Sequence, residues 1–452
     1  MKKFNLPDLN SCSIAVIGLG YVGLPLAYAI ANRRLSLIDK KILTRRVVGY
    51  DLNKQRISEL KNGFDRNKVI KENQKDNFGS IFFTDKNNDL NDIDVFIITV
   101  PTPLKDNNEP DLSFIMEASI MVGKAIKLNS NSNNNQIVIF ESTFFPGATE
   151  ELCAPLIAEY SGKNYNSQSH HNSFYCGYSP ERINPGDKEK TIDSIVKVTS
   201  GSNKIISVWI DNFYKSFIEA GTFNVSSIKV AEAAKIIENT QRDINIALVN
   251  ELAILFKKMN IDINEILDAA DTKWNFQKYR PGLVGGHCIG VDPYYLTFKA
   301  RKMGLVPDLI LAGRKVNDNM HEYLLEQILL KIKNRNKKIK FENVLILGIS
   351  YKSNCPDIRN SQLIYLVKNM IQRKMNITIV DPLVNQEDLF SKTGLSSLSE
   401  IPKNNKYSLI IFALSHEQFE YIDYKKLKNL STSNSIIFDI TNKVQGKDIY
   451  HF

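Results

Sequence analysis

The sequence is poor in cysteine and has no long apolar run. Its five cysteines are scattered along 452 residues, in neither a disulfide framework nor a zinc-ligand pattern, so we expect a reducing compartment and no metal site. No stretch approaches the roughly 18 consecutive apolar residues of a membrane-spanning helix. Residues 1–11 carry charge but no apolar core, and we expect no secretory signal there. These absences favour a cytoplasmic protein without membrane insertion.

Length and charge bound the kind of protein. A chain of 452 residues is too long for one ordinary core, so we expect two or three domains. Its 43% hydrophobic and 24% charged residues exclude wholesale disorder. The net charge of +9 would suit nucleic acid, a membrane surface or an acidic small molecule. Because the lysine-rich stretches carry no interleaved aromatic residues, we expect a solvated basic surface and no nucleic-acid partner.

Short apolar segments alternate with helical ones at both ends of the chain. Strands are predicted at 13–18, 47–51, 94–100, 137–140, 343–348, 377–381, 409–414 and 436–439. Helices are predicted at 24–31 and 361–370, and a long one at 230–258 either connects domains or pairs with another subunit. We therefore expect an α/β fold with two Rossmann-like, doubly wound domains joined by a long central helix and a helical dimerisation region. The predicted domain boundaries are 1–222, 223–330 and 331–452.

A glycine-rich turn, G-L-G-Y-V-G at 18–23, follows the first predicted strand and opens a helix. Glycines there permit the tight turn and let the backbone approach a pyrophosphate at the helix N-terminus. Asp51 ends the next strand, where a carboxylate accepts the ribose hydroxyls and favours NAD over NADP. It lies 28 residues after Gly23, more than the usual ~20, and we interpret the basic stretch 40–46 as an exposed insertion. The alternative is a glycine turn without a ligand.

A second glycine-rich loop, G-G-H-C-I-G-V-D-P at 285–293, contains Cys288. A lone cysteine is usually an inert core residue, but the surrounding glycines and Asp292 favour a nucleophile here. Two interpretations of His287 stay open, because it could orient substrate or simply pack. Lys235 and Asn239 are four residues apart and share one helix face, where an ammonium and an amide can stabilise an oxyanion.

Seven stretches in order along the chain are similar to the UDP-glucose/GDP-mannose dehydrogenase family. They are 18–25, 100–103, 141–149, 178–185, 235–239, 285–296 and 348–361. Within that family, H-C-I-G-V-D-P-Y-Y-L at 287–296 resembles the branch that oxidises UDP-N-acetylhexosamines, including the Vi-antigen type. The UDP-glucose branch typically has serine where this chain has His287, and Phe-Pro-Lys at 289–291.

The resemblance implies NAD-dependent, four-electron oxidation of a sugar C6 hydroxyl to a carboxylate. Water near Lys235, Asn239 and Asp292 would help to accept the hydroxyl proton, and Cys288 would add to the aldehyde. The resulting thiohemiacetal would become a thioester, and Glu181 would be the general base for its hydrolysis. Thr143 matches the family threonine that positions this water beside the nicotinamide.

The resemblance also implies the binding residues, a UDP-N-acetylhexosamine substrate (UDP-GlcNAc or UDP-GalNAc), a role in capsule or O-antigen synthesis, and a homodimer. Implied cofactor contacts are Gly18, Gly20, Tyr21, Val22, Gly23, Asp51, Arg56, Thr102, Thr143 and Arg359. Implied substrate contacts are Glu181, Arg182, Lys235, Arg280, Gly285, Gly286, His287 and Lys352. Arg280 would act within its own subunit or from the partner subunit. The last domain lacks a full G-x-G-x-x-G motif, which fits UDP rather than a dinucleotide.

One departure leaves the general base open. The UDP-glucose branch often has a second glutamate where this chain has Pro185, so hydrolysis would depend on Glu181 together with Asp292. The alternative for Glu181 is a salt-bridged loop acid. The alternatives for the whole protein are a UDP-glucose or UDP-ManNAc dehydrogenase, a two-electron enzyme with a structural Cys288, and a non-catalytic nucleotide-sugar-binding protein. His170 and His171, in a Ser/Asn-rich loop, are not expected to bind metal.

Overall fold

The computed structural model describes residues 5–67, 69–70, 78–129, 135–167, 172–182, 191–334, 343–403 and 405–451. The chain forms two compact units, Met1–Ile237 and Glu238–Phe452. The division falls within a 31-residue helix, Ile228–Lys258.

Unit 1, Met1–Ile237, is built on one sheet. Its strands are β1 (Ser13–Ile17), β2 (Arg46–Tyr50), β3 (Ile81–Thr84), β4 (Val95–Ile98), β5 (Gln136–Phe140), β6 (Asn164–Tyr165), β7 (Ser173–Tyr178), β8 (Lys197–Gly201) and β9 (Thr222–Asn224). Its helices are α1 (Gly23–Asn32), α2 (Lys54–Lys61), α3 (Ser113–Leu128), α4 (Ala154–Ser161), α5 (Lys204–Lys215) and the first part of α6 (Ile228–Lys258). Short 3-10 turns are present at Asn87–Leu90 and Ile192–Ser194, and a π turn at Thr149–Cys153.

The strand order in unit 1 is β3-β2-β1-β4-β5-β7-β8-β9, with β6 beside β7. The described pairs are parallel except β7 with β8, which run antiparallel. A parallel sheet is covered on both faces, which explains why its strands are continuous apolar runs. In β1, residues Ile14 to Ile17 are at most 2% exposed.

Unit 2, Glu238–Phe452, starts with helices and ends in a second sheet. The helices are the remainder of α6, α7 (Ile263–Ala270), α8 (Asp292–Lys302), α9 (Asp308–Asp318), α10 (Met320–Asn334), α11 (Gln362–Gln372), α12 (Gln386–Thr393) and α13 (Tyr424–Leu430). The strands are β10 (Asn343–Leu347), β11 (Asn376–Val380), β12 (Ser397–Leu398), β13 (Tyr407–Phe412), β14 (Ser431–Asp439) and β15 (Ile449–Tyr450). A 3-10 turn is present at Glu417–Phe419.

The second sheet is parallel, in the order β12-β11-β10-β13-β14-β15. Its central strand shows why both faces must be covered. Val344 and Ile346 belong to one core cluster, whereas Leu345 and Leu347 belong to another. Successive side chains of a strand point to opposite faces, so helices pack on both sides of this sheet.

The predicted α/β class with two doubly wound sheets is confirmed, and the long helix begins at Ile228, two residues before its predicted start. The interpretation of 40–46 as an exposed insertion is wrong in part. Leu43 is buried, and Arg45 donates hydrogen bonds to the Leu9 carbonyl at 2.7 Å and to Ser216 Oγ at 2.7 Å. The Arg45 guanidinium also lies 4.8 Å from the Phe213 ring centre, so its aliphatic stem and charge are used inside unit 1.

A buried glutamate fixes the start of α6 in unit 1. Glu232, at 0% exposure, accepts hydrogen bonds from the Gly147 amide at 2.5 Å and from the Thr149 amide at 2.9 Å. The Thr149 hydroxyl adds a third bond at 2.7 Å. These bonds attach the helix to the loop after β5.

We expect Glu232→Gln to lower the free energy of unfolding of unit 1 by about 1–3 kcal/mol, because the new amide nitrogen faces a backbone N–H and leaves it without an acceptor. Urea unfolding followed by the fluorescence of the buried Trp209 measures this change, since Trp274 is already 96% exposed. Glu117→Gln, on the exposed face of α3, is the matched control. Equal unfolding midpoints for the two variants would contradict the assignment.

Candidate active site

The glycine turn at 18–23 connects β1 to α1 in unit 1. Gly18 has φ +93°, and its amide donates to the Tyr50 carbonyl at 2.8 Å. A Cβ atom on Gly23 would lie 1.9 Å from the Gly18 carbonyl oxygen, so helix and strand approach too closely for any side chain. A Cβ on Gly20 would instead enter open space, because no described residue beyond its two chain neighbours comes within 4 Å of it. The turn therefore leaves a cradle at Gly20 that a pyrophosphate can occupy.

Asp51 follows β2 beside this turn. Its Oδ2 atom accepts the Leu19 amide at 2.8 Å, its Oδ1 atom accepts the Asn53 amide at 2.9 Å, and the residue is partly exposed. Arg56, predicted as a cofactor contact, is buried; it donates to the Leu19 carbonyl at 3.1 Å and pairs with Asp65 at 2.8 Å. The structure therefore gives Arg56 a role in holding the turn, and its cofactor contact stays a prediction.

Four neighbouring parallel strands end at the same edge of the sheet. The turn at 18–23 follows β1, Thr102 follows β4, Thr143 follows β5 and Glu181 follows β7. Tyr21, Val22, Thr102 and Thr143 are partly exposed. This edge is where open α/β sheets bind their ligands, so the fold gathers these predicted residues where a dinucleotide would bind.

Glu181 lies in a buried cluster of charges. The Lys197 ammonium is 2.7 Å from Glu181 Oε2 and 2.7 Å from Glu141 Oε2. The exposed fractions are 3% for Lys197, 3% for Glu141 and 7% for Glu181. The Tyr214 hydroxyl donates to the other oxygen of Glu141. Glu181 is thus both the predicted base and a salt-bridged acid, so the two interpretations of this residue are compatible.

Burial and charge act against each other in this cluster. Burial raises the pKa of Glu141 to about 7, although the Lys197 ammonium opposes the rise. Burial alone would lower the pKa of Lys197, but Glu141 and Glu181 together raise it above its ordinary value. Lys197 therefore stays protonated near neutral pH, and Glu141 is the group that exchanges a proton there.

The predicted pair on α6 is buried. Lys235, in unit 1, is 5% exposed, and its carbonyl accepts a hydrogen bond from the Arg182 guanidinium at 3.4 Å. Asn239, in unit 2, is 4% exposed and donates to Asp292 Oδ2 at 2.5 Å. A buried lysine and a buried amide on one helix are unlike the surface residues that usually occupy such positions, which favours a functional interpretation.

The loop that carries Cys288 is fixed in unit 2 by buried side-chain amides. Asn250 accepts the Gly282 amide at 2.8 Å and donates to the Gly282 carbonyl at 3.1 Å. Gln362 donates to the Val284 carbonyl at 2.9 Å. The Cys288 carbonyl accepts the Asp292 amide at 2.9 Å, which places the cysteine in the turn before α8. Cys288 is exposed, whereas the other four cysteines are buried.

His287 and the two glycines before it pack against the loop after β10. A Cβ on Gly286 would lie 2.6 Å from the Tyr351 ring, and one on Gly285 would lie 2.7 Å from the Asn360 carbonyl oxygen. The His287 ring is edge-on to Tyr351, and its Nε2 atom is 3.3 Å from an oxygen of Asp357. Burial lowers the pKa of His287 to about 4, although Asp357 opposes this. About a third of its side chain is exposed, so packing and a substrate contact are compatible.

The turn after β10 has the same form as the turn after β1, but the carboxylate beside it, Asp381, is buried and bonded within the protein. Gly348 has φ +89° and donates to the Val380 carbonyl at 2.9 Å. Asp381 follows β11 as Asp51 follows β2, yet it is 1% exposed, accepts the Ile349 amide at 2.9 Å and contacts His416 Nε2 at 3.2 Å. A ribose cannot reach this carboxylate, which supports the inference that this sheet does not bind a dinucleotide.

Two predicted cationic contacts, Arg280 and Arg359, pair with carboxylates of unit 2. Arg280 pairs with Asp268 at 2.7 Å and Asp271 at 2.6 Å, and Arg359 pairs with Asp357 at 2.7 Å. Lys352 is partly exposed in the loop after β10. Ligand contacts for the three residues stay predictions.

Some predicted positions fall outside the described residues, namely Pro185, His170 and His171. In the described ranges, no group of three or more His, Cys, Asp and Glu residues could hold a metal ion. Nor does any helix there have both the length and the apolar character needed to cross a bilayer.

Sequence reasoning missed Lys197 and Tyr214, and it did not give Glu141 a role. A signal for Lys197 was present, because a lone lysine interrupts the apolar run Ile195-Val196-Lys197-Val198 at the start of β8. Buried lysines are rare unless they are paired, so a lysine inside a short apolar run points to a carboxylate partner.

The cradle beside Asp51 and the exposed cysteine on a fixed loop are the parts of a dinucleotide-dependent dehydrogenase. Models of the UDP-glucose/GDP-mannose dehydrogenase family match the chain over its NAD binding domain at 12–218, its central domain at 229–319 and its UDP binding domain at 345–446. The chain belongs to this family. The family, the NAD cofactor and the dehydrogenase class predicted from the sequence are thereby confirmed.

Known proteins resemble the chain over nearly its full length. It is 45% identical over 432 residues to a UDP-N-acetyl-D-glucosamine 6-dehydrogenase of Salmonella typhi, covering 96% of each chain. It is 43% identical to a protein of the same name from Pseudomonas aeruginosa, covering 96% of this chain and 97% of the other. A solved UDP-D-ManNAc dehydrogenase from Pyrococcus horikoshii has a TM-score of 0.81 at 27% identity, covering 97% of this chain and 98% of that one.

The first turn fits NAD, because it combines open space at Gly20 with a partly exposed carboxylate at Asp51. We expect Gly20→Ala to fold normally and to weaken NAD binding about tenfold or more, since the new methyl group occupies the cradle. Gly23→Ala should instead destabilise unit 1 by about 1–3 kcal/mol or more, since its methyl group clashes with the backbone. Calorimetric NAD titration and thermal unfolding of both variants measure the two effects. Unchanged NAD affinity in Gly20→Ala would contradict the assignment.

Proposed function

We propose that this chain is a UDP-N-acetylglucosamine 6-dehydrogenase, which oxidises the C6 hydroxyl to a carboxylate with two equivalents of NAD. The carrying observation is the exposed Cys288 on a loop whose far end is fixed by the buried Asn239–Asp292 hydrogen bond. A dehydrogenase that stops at the aldehyde has no use for such a nucleophile. The sugar is taken from the names of the Salmonella and Pseudomonas relatives, which are far more similar to this chain than the Pyrococcus protein is.

The first oxidation removes the C6 hydroxyl proton and a hydride. NAD, when bound, would supply the hydride acceptor for both oxidations. Asp292 is completely buried and receives a short hydrogen bond from Asn239, so its carboxylate is held in one orientation. We assign it, with Asn239, the uptake of the hydroxyl proton through a water molecule. The Lys235 ammonium stabilises the negative charge that develops on the C6 oxygen.

The second oxidation needs a covalent step, because a bare aldehyde carries no alkoxide to drive hydride loss. The Cys288 thiolate adds to the aldehyde carbon and forms a thiohemiacetal, whose oxidation gives a thioester. In hydrolysis, water adds to the thioester carbonyl and gives one proton to the Glu181 carboxylate. The carbon–sulfur bond then breaks, the sulfur leaves with the electron pair as thiolate, and the sugar is released as a carboxylic acid, which loses its remaining proton to solvent.

The chain takes a UDP-linked sugar, as its UDP binding domain match implies, and we assign the nucleotide to the domain 331–452 with Lys352 as a contact. The same proposal keeps 1–222 as the NAD domain and 223–330 as the central helical domain. The product, a UDP-linked uronic acid, is an activated glycosyl donor. We therefore propose that it supplies a surface polysaccharide, a capsule or an O-antigen, and that the reaction takes place in the cytoplasm.

We also propose a homodimer. Exposed apolar side chains are concentrated in the helical part of unit 2, where water exposure of so much apolar surface would be unfavourable. Trp274 is 96% exposed, and Leu248 on α6 is 56% exposed. Between α8 and α9, Met303, Leu305 and Val306 are each more than 60% exposed.

With NAD and each of UDP-GlcNAc, UDP-GalNAc, UDP-ManNAc and UDP-glucose, we expect the highest kcat/KM for UDP-GlcNAc. UDP-glucose should be slower by about tenfold or more, because polar groups that bind the acetamido group would be left unpaired. Absorbance at 340 nm should show two NADH per sugar consumed. One NADH per sugar would contradict four-electron oxidation, and a faster reaction with UDP-ManNAc would replace the assigned sugar.

Cys288→Ser should lower the rate of acid formation by about 10³-fold or more, because a serine hydroxyl is protonated at neutral pH and adds poorly to the aldehyde. Quantifying the uronate product by mass spectrometry measures this loss. Cys12→Ala, which removes a buried thiol from unit 1, is the matched control and should keep two NADH per sugar. Full acid production by Cys288→Ser would remove the thiol from the mechanism.

A further inference from the structure

Lys197 is placed between two carboxylates in the interior of unit 1. Its ammonium is 2.7 Å from Glu141, at the end of β5, and 2.7 Å from Glu181, after β7. Nothing about packing requires a charge there, since a buried ion pair can often be replaced by apolar residues at no loss of stability. A lysine that is 3% exposed at the first residue of β8 therefore calls for a role other than stability.

Electrostatics gives that role. Two carboxylates held close together in a buried site cannot both ionise without a cation, because each negative charge raises the pKa of the other. Lys197 lies between the two carboxylates, and its positive charge balances the negative charge of one of them. The charge of the other carboxylate then depends on a proton that Glu141 binds or releases. Burial raises the pKa of Glu141 to about 7, which makes it the group that takes the extra proton.

We propose that Lys197 is a positioning residue that pairs with Glu181 and orients it as the base of thioester hydrolysis, with Glu141 as the second carboxylate on the same ammonium. This inference rests on the proposed role of Glu181. The orientation is fixed from both sides, since Lys197 holds Oε2 of Glu181 and the Arg182 amide donates to its Oε1 at 2.5 Å. A carboxylate without a proton, held in one rotamer, can accept the proton of water without reorganisation.

Other charged and titratable groups face this cluster and belong to the same balance. From α5, the Tyr214 hydroxyl donates to Glu141, and its ring centre lies 5.4 Å from the Lys197 ammonium. The backbone of α6 at Lys235 accepts a hydrogen bond from the Arg182 guanidinium. Tyr214 has its pKa raised by burial and by Glu141, so it stays a neutral donor through the pH range in which Glu141 titrates.

The test is the pH dependence of hydrolysis of the acyl-enzyme. Enzyme, NAD and UDP-GlcNAc are mixed under single-turnover conditions between pH 5 and 9, and the Cys288-linked intermediate and the free uronate are quantified by mass spectrometry after rapid quenching. In the pH profile of the hydrolysis rate, we expect Lys197→Met to move the acid limb to higher pH by about 1–3 units. The intermediate should then accumulate near pH 6. Lys197→Arg keeps the charge and should restore the wild-type profile.

Glu141→Gln is a second check. Glutamine has the neutral form that Glu141 takes below about pH 7 and keeps the Lys197–Glu181 pair, so the acid limb should stay in place in this variant. A purely structural role for Lys197 would lower the rate equally at every pH and would leave the limb in place. If Lys197→Met does not fold, Lys197→Gln replaces it as the uncharged variant, and an unmoved limb in Lys197→Gln overturns the inference.

Lys163→Met is the matched control. Lys163 is partly buried at the opposite end of β5, where its ammonium donates to the neutral Gln136 side chain at 2.6 Å. Its removal should not move the acid limb.

Glu181→Gln tests the proposed base separately from the role of Lys197. Wild-type hydrolysis in Glu181→Gln would overturn the proposed base itself, whereas slow hydrolysis there with an unmoved limb in Lys197→Met would overturn only the role of Lys197.

Discussion

Backbone hydrogen bonds between the ends of parallel strands determine where the predicted site residues of unit 1 lie. The Thr99 amide donates to the Ile17 carbonyl, the Glu141 amide to Ile98, and the Ser179 amide to Phe140, each at 2.9 Å. Each bond ties the residue just after one strand to the last residues of its neighbour. The side chains that leave the sheet at these points are thereby held at one edge without any need for contacts among themselves. The glycine turn and the charged cluster around Lys197 both depend on this alignment.

The same kind of glycine turn occurs in both units, but the carboxylate beside it differs in exposure. In each, a glycine with positive φ follows the central strand, and the acid that ends the next strand accepts the amide of the residue after that glycine. Asp51 keeps part of its surface exposed, whereas His416 closes over Asp381 and leaves it 1% exposed. One imidazole thus shields the carboxylate of the second turn from solvent, whereas the carboxylate of the first turn stays accessible.

Features set by local sequence could be predicted, and features set by strand order could not. The turn at 18–23 and the loop around Cys288 depend on glycines and neighbours within a few residues, so their positions followed directly from the sequence. The Lys197–Glu141 contact joins residues 56 positions apart and exists only because β5, β7 and β8 are adjacent. Arg45 looked like part of an exposed insertion for the same reason, because its partner Ser216 lies 171 positions away.

Thiol chemistry in this protein is confined to a single sulfur atom. Burial raises the pKa of Cys12 and of Cys153 to about 12 and raises the pKa values of Cys176 and Cys355 as well, so these four buried sulfurs remain protonated. Oxidants attack thiolates that they can touch, and Cys288 is the exposed member of the five. With Cys288 as the proposed nucleophile, one equivalent of oxidant per chain should therefore inactivate the folded enzyme, and a cellular reductant can reverse this without refolding as long as the sulfur stops at the sulfenic acid.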